Sequence, residues 1–431
     1  MQYIRRRAAA PTAGWRCCCL ALMALGAAAC APSPAGVLTF SGSVVGREGA
    51  VLRGQLDRFE RARPGVRVAV RPTPDAADVR HQLYVQWLNA RAPDPDVLQL
   101  DVVWIAEFAA AGWIASLDSY QPAVHEFFPA AVTADRWNGR LYALPWFVDV
   151  GMLYRRIDLV PRAPGSLADL IALASDAQRI HGVPFGIVWQ AARYEGLVTV
   201  FLELLGAFGG QILDDDGRVV LDSDAAINAL TFFRDAIHVD RVAPPAVLTW
   251  QEEQTRLAFQ SGQAVFMRNW PYASALLQDP AQSAVSGRFA VSSMPAGPGG
   301  VPTAALGGAA LAVNAHSRRP DTAYALIEFL LAPEQMLERA RVAGQFPTRP
   351  ALYGSRELDD ALSVSAADAL SVIERAVPRP VSPVYSELSE ILQISLHRAL
   401  TRQQEPRDAL EEAAAAMREL LVRVRLTPEG R

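Results

Sequence analysis

Three carboxylates stand where a chain of this pattern would present them to a ligand. Asp149 lies in Gly139–Arg156, GRLYALPWFVDVGMLYRR, close behind Trp146 and Phe147. That stretch reads as a turn at Asn138-Gly139, a short extended run, Pro145 and a second extended run. The residues on either side of it pattern as separate α/β units. Aromatic faces beside a carboxylate at such a crossing suit a ligand with apolar and hydroxyl surfaces, such as a sugar. An ordinary buried strand with core aromatics would read the same way. Asp101 ends the apolar run that begins at Val97, and ligands of parallel sheets lie beyond the carboxyl ends of the strands. A carboxylate there can accept hydroxyl hydrogen bonds or cap the helical segment Ile105–Ala111, and the two roles are compatible. Glu48 falls in the first turn of the helix expected over Arg47–Arg63, where it can complement the helix dipole or point toward a hydroxyl. Asp101 with Asp149 or Glu48 is also the pair an exported glycoside hydrolase would use as acid and base.

The elements that must position these groups follow an alternating rhythm. Val37–Ser41 is a compact apolar run, and Val51, Leu52, Leu56 and Phe59 form one side of the helix after it. Pro64-Gly65 ends that helix, Val66–Arg71 alternates as a strand does, and Asp78–Arg91 is a second helix before the strand Val97–Val103. This β-α-β-α-β order predicts mainly parallel sheets covered by helices on both faces. Beyond the crossing, Ser166–His181 is helical, Phe185–Trp189 a strand, and Tyr194–Phe208 an apolar helix stopped by Gly209-Gly210. Asp214-Asp215-Asp216-Gly217 lacks the further ligands of a calcium loop and reads as a hairpin turn. Ser223 caps a helix over Asp224–Asp240. Pro378–Pro383 reads as an extended surface crossing before helices over Val384–Thr401 and Pro406–Val424.

Composition excludes several functions. At 431 residues the chain exceeds one small core, and 51% hydrophobic residues mean that most of it folds. A net charge of -4 argues against a phosphate-backbone binder, so no nucleic-acid partner is expected. The histidines at 81, 125, 181, 238, 316 and 397 are scattered without ligand spacing, no G-x-S-x-G elbow occurs, and no metal or cofactor is expected.

Residues 1–30 read as a processing segment. Arg5-Arg6-Arg7 and Arg16 precede the apolar run Cys17–Ala29, which is too short to span a membrane comfortably. Small residues Ala27-Ala28-Ala29 then precede Cys30. The pattern resembles a bacterial lipoprotein signal with Cys30 as the lipidated first residue, although Ala27 stands where leucine is usual. An ordinary secretory signal cut near Ala29 or Ala31 is the alternative, and both export the protein. All four cysteines lie at or before Cys30, so no disulfide is expected in the exported part, and residues 31–36 form a short tether.

At Trp250–Ala273, WQEEQTRLAFQSGQAVFMRNWPYA, the chain resembles an extracellular solute-binding protein of the family that feeds ABC sugar importers, most closely its trehalose/maltose-binding branch. DVVWIAEFAAAGWIASLD at 101–118, the crossing at 139–156, ALGGAALAVNAHSRRPDTAYALIEFLLAPE at 305–334 and GQFPTR at 344–349 extend the resemblance across nearly all of the mature chain. It implies a two-lobed α/β fold of the periplasmic-binding-protein kind with a hinge crossed more than once. Residues 37–143 with 304–345 would form one lobe, and 144–303 with 346–431 the other. It also implies a monomer that holds a sugar between closing lobes and delivers it to importer permeases. Carried over residue by residue, the sugar would meet Glu48, Asp101 and Asp149, Trp270 of the Asn-Trp-Pro turn, Gly307-Gly308, and Arg349. Glu252, on the helix before that turn, is a further candidate, with a solvated helix face as its alternative. The chain departs from some relatives at Ala309, where they carry an aromatic residue, and at Phe147, where they carry tyrosine. A smaller, less polar site wall leaves room for a different or larger saccharide than trehalose.

Overall fold

A computed structural model describes residues 36–214 and 216–424 of the chain. The expected signal, Cys30 and nearly all of the tether lie outside the described residues. The strands are β1 Val37–Gly42, β2 Arg67–Pro72, β3 Val97–Asp101, β4 Arg136–Trp137, β5 Arg140–Leu141, β6 Ala143–Val150, β7 Met152–Arg156, β8 Phe185–Val188, β9 Ala264–Asn269, β10 Phe289–Ser292 and β11 Leu306–Val313. Two sheets organise two lobes, one in the order β2-β1-β3-β11-β6 and the other β10-β7-β9-β8. Asn138 and Gly139, both at positive φ, make the tight turn between the short strands β4 and β5.

The two-lobed α/β architecture matches the sequence expectation, but the sheets are mixed rather than mainly parallel. β1 pairs in parallel with β2 and β3, whereas β11 runs antiparallel to both β3 and β6. In the second sheet only β8 and β9 are parallel. The parallel strands are those joined by helical crossovers, which enforce that direction. β6 and β11 are instead entered or left through the other lobe, and nothing forces them to follow it.

The chain changes sheets at a single residue. β6 belongs to the first sheet and β7 to the second, so the switch is at Gly151 and not at the 143/144 boundary read from the sequence. A Cβ on Gly151 would lie 1.8 Å from Oε1 of Glu203, so only glycine fits. The return passage runs through Ala304–Leu306, where Leu306 N donates to Val377 O at 2.8 Å and Val377 N to Ala304 O at 2.8 Å. The segment around Val377 thus lies alongside the second crossing.

Apolar faces close both lobes. Helix Glu48–Ala62 buries Val51, Leu52, Leu56 and Phe59 on one face of the first sheet, and Tyr84, Leu88 and Phe108 pack on the other. In the second lobe, helix Glu195–Ala207 is apolar almost all round and sits in the core, covered by helices Asp224–His238 and Tyr385–Leu400, on which helix Pro406–Arg423 packs in turn. Ser166 and Ser223 cap their helices as expected, accepting from Asp169 N at 3.1 Å and Ala226 N at 3.4 Å. The Asp214 turn is a hairpin connection, with Leu213 bridged to Val219 and Asp214 Oδ1 accepting from Arg218 N at 2.8 Å. Among the described residues no helix is long and apolar enough to cross a membrane.

Candidate functional site

The carboxyl end of β3, the N-terminus of helix Glu48–Ala62 and the central stretch of β6 meet at a cavity of about 240 Å³ between the two sheets. Of the residues expected from the sequence, Glu48, Asp101, Phe147, Asp149, Glu252, Trp270, Gly307 and Gly308 all line it. Trp146 does not; strand alternation turns it into the core, 2% exposed, against Phe40 and Arg339.

Three neighbouring strands bring the first groups into register. Asp101 on β3 faces Ala309 on β11, and Ala309 faces Phe147 on β6. Two positions along β6, Asp149 faces Gly307. Gly308, at φ +117°, is held by contact with backbone: a Cβ there would lie 2.2 Å from the Phe147 carbonyl oxygen. Gly307 instead leaves room for Trp270, whose Cζ3 would sit 3.4 Å from a Cβ at that position. Trp270 is fixed through its turn: its N–H donates to Asn269 Oδ1 at 2.8 Å and its carbonyl accepts from the Tyr154 hydroxyl at 2.7 Å. Its indole N–H reaches Glu252 Oε1 at 3.4 Å.

The carboxylates are held in distinct electrostatic states. Glu48 is buried at the helix N-terminus and accepts from Gln345 Nε2 at 2.8 Å, and Gln345 is in turn bonded by the buried Arg339. Burial pushes its carboxyl above the usual range, partly offset by the Arg339 charge. Asp149 Oδ1 is sealed from water and has no hydrogen-bond partner among the described residues. Burial, then the charges of Glu48 and Asp101, raise it to about 8, so that at neutral pH it is mostly a protonated acid that can donate as well as accept. Asp101 has a firm partner: Oδ1 accepts from Arg379 Nη2 at 2.7 Å and from Val103 N at 3.2 Å. The latter contact is a local turn bond, and Trp104, not Asp101, occupies the cap position of helix Ile105–Ala110.

Arg379 is the main residue that sequence reasoning missed. Its segment, Pro378–Pro383, was expected to cross the surface, yet Arg379 is 5% exposed and lines the cavity. Nη1 donates to Glu195 Oε1 at 2.7 Å while Nη2 donates to Asp101, so one guanidinium ties a first-sheet carboxylate to the second-lobe helix. The flanking carboxylates raise its already high pKa despite burial. Glu195 also accepts from the Tyr385 hydroxyl at 2.7 Å. The signal was an arginine held rigid between two prolines in an otherwise apolar stretch. Tyr194 and Glu195, read only as the start of an apolar helix, line the cavity as well.

Arg349 is placed elsewhere, contrary to expectation. Phe128 N donates to Thr348 O at 3.0 Å and Thr348 Oγ1 to Pro145 O at 2.9 Å, which pins the loop against the first lobe. Arg349 therefore turns outward, donating to Leu331 O at 3.1 Å, pairing with Glu126 and lying 4.6 Å from the Phe127 ring centre.

Residues 44–337 match the family model of the bacterial extracellular solute-binding proteins. The chain belongs to this family. A Deinococcus radiodurans relative described as a probable ABC transporter-binding protein is 34% identical over 399 residues, 89% of this chain and 93% of the relative. The maltose-bound MalE3 of T. maritima is 41% identical, with a TM-score of 0.86 over 89% of this chain and 100% of that one. The acarbose-binding GacH receptor of Streptomyces glaucescens shares the fold, with a TM-score of 0.81 at 24% identity over 90% of this chain and 98% of that one. The chain is thus a solute-binding protein and not an enzyme. Its site geometry agrees, because Asp101, half of the acid/base pair expected for a hydrolase, is committed to Arg379 and Val103 N. Among the described residues no cluster of His, Cys, Asp and Glu could hold a metal ion.

Proposed function

We propose that this solute-binding protein serves an ABC importer, with a disaccharide of the maltose or trehalose kind, or a related oligosaccharide, as its solute. The observation that carries the reading is the cavity itself: carboxyl groups of Glu48, Asp101 and Asp149 converge on it beside the Trp270 and Phe147 rings. Hydroxyls of a pyranose are met by acceptors and by the Asp149 proton, while its C–H face lies on an indole. Maltose occupies MalE3, which this chain resembles over nearly all of its described length. Capture favours the arrangement with the lobes closed, and that form docks on the permease subunits; no bond is made or broken. The protein acts as a monomer outside the cytoplasm, held at the membrane by a lipid on Cys30.

Thermal unfolding of the exported chain in a series of disaccharides and oligosaccharides tests this. A sugar present at a hundred times its Kd stabilises the fold by about 2.7 kcal/mol and is recovered intact. A chain that responds to no saccharide, or releases reducing sugar from one, overturns the reading.

A further inference from the structure

Next to the cavity lies a buried ion pair that is not part of its lining. Glu203 on helix Glu195–Ala207 and Arg268 on β9 are both fully buried. Arg268 Nε donates to Glu203 Oε2 at 2.9 Å, and Nη2 donates to Oε1. Nη1 donates to Gln190 Oε1 at 3.1 Å, and Gln190 Nε2 returns a bond to Arg268 O at 3.2 Å. Every guanidinium nitrogen therefore has an acceptor, and the plane of the group cannot rotate without breaking bonds.

What surrounds this pair gives it a role. Glu203 Oε1 accepts from Ala305 N at 3.3 Å, within the second passage between lobes. The same oxygen faces Gly151, the first passage, so closely that a Cβ there would stand 1.8 Å away. On its other side the Arg268 guanidinium lies 3.9 Å from the centre of the Trp270 indole. One carboxylate thus touches both hinge passages, and its partner supports the aromatic platform of the site. Fully buried ion pairs add little net stability compared with apolar residues of the same size, which turns attention to what this one positions.

We propose that Glu203 and Arg268 are positioning residues. They fix the tilt of the Trp270 ring relative to the hinge passages at Gly151 and Ala305, so that ligand affinity depends on a contact the ligand never makes. The coupling to affinity rests on the sugar-binding reading above; the positioning of the ring does not.

The test therefore has a ligand-free arm and a ligand arm. Acrylamide quenching of the apo protein, taken as the difference between each form and its Trp270→Leu counterpart, isolates Trp270 from the other tryptophans. Glu203→Gln keeps the shape and an acceptor oxygen but removes the charge that orients Arg268. Trp270 becomes more accessible to quencher in Glu203→Gln, and unchanged quenching overturns the proposal. In the ligand arm, titration calorimetry with maltose and trehalose shows affinity reduced about tenfold by Glu203→Gln in the parent. In the Trp270→Leu background the same substitution costs less than about twofold, because the ring it positions is gone. An equal factor in both backgrounds marks a merely structural pair and refutes the proposal. If the parent binds neither sugar, the sugar reading fails while the quenching arm still decides the positioning. Should Glu203→Gln fail to fold, Glu203→Asp, which keeps the charge but withdraws it from Arg268, is put through both arms, with smaller changes of the same sign expected and the same refuting outcomes.

Discussion

Asp149→Asn is expected to stabilise the apo protein, and by an amount that grows with pH. In the fold the Asp149 carboxyl is raised from 3.8 to about 8 by burial and by the Glu48 and Asp101 charges, so the folded state holds a proton that the unfolded chain gives up. The stability linked to that proton is complete below about pH 4 and is lost as pH rises through 8. Each unit of displacement corresponds to about 1.4 kcal/mol, so roughly three units, or about 4 kcal/mol, are lost by pH 7. Asp149 is partly open to the cavity, and solvent screening brings this to about 2 kcal/mol. The asparagine keeps the volume and the acceptor without the ionisable proton. Urea unfolding of both proteins, followed by circular dichroism, should show the variant ahead by less than about 1 kcal/mol at pH 5 and by about 2–3 kcal/mol at pH 8. A gain that is flat with pH, or a variant less stable than its parent at pH 8, refutes the electrostatic account of this site. The expected result makes this carboxyl an example of stability given up where a ligand must be held.

Other substitutions probe the remaining contacts. Trp270→Ala removes the aromatic platform and is expected to weaken sugar binding by at least about 2 kcal/mol in calorimetric titrations, with the apo melt little changed. Arg379→Met strands two carboxylates, Asp101 and Glu195, across the lobes; it should cost about 3–5 kcal/mol at neutral pH in urea unfolding. That deficit narrows as the pH falls and Glu195 takes up a proton, because burial already raises its carboxyl and the variant removes the Arg379 charge that opposes this. Arg349→Ala is expected to leave sugar affinity unchanged in the same titrations, since its guanidinium is occupied by Leu331 O and Glu126 on the outer face.

How much of this was legible in the sequence follows from where each residue sits. Helix Glu48–Ala62 announces itself by periodic burial and strands β1 and β3 by continuous apolar runs, and Glu48 and Asp101 stand out because each marks the end of such an element. Trp270 and the paired glycines came from motif resemblance; the register of β6 and β11 sets the glycines opposite Asp149 and Val148, and the turn after β9 brings the Trp270 ring beside Gly307. The direction of β11 was not legible, because it depends on a passage through the other lobe and no local pattern encodes it. Arg379 was missed for a related reason. Its partners Asp101 and Glu195 are far away in sequence, and a proline-flanked arginine alone resembles a solvated linker. Arg349 was misplaced because its motif fixes the backbone through Thr348 and Pro145 without fixing which way the next side chain turns.

These cases separate along one physical line. Residues that belong to one lobe are specified by hydrophobic period and capping, which are local and repeat. Arg379, between Asp101 and Glu195, joins the lobes by charge pairing across distant segments, whereas the Arg268–Glu203 pair lies within the second lobe and reaches the passages at Gly151 and Ala305. A solute-binding protein needs lobes that keep their shape while the angle between them changes. Apolar packing supplies the first requirement, and one buried cluster also runs on from Val148 and Val150 of β6 into Met152, Tyr154 and Met267 of the second sheet. Charged pairs at the boundary add a directional preference that this apolar packing lacks. The residue hardest to read from the sequence, Arg379, is therefore the one that ties the two lobes by charge.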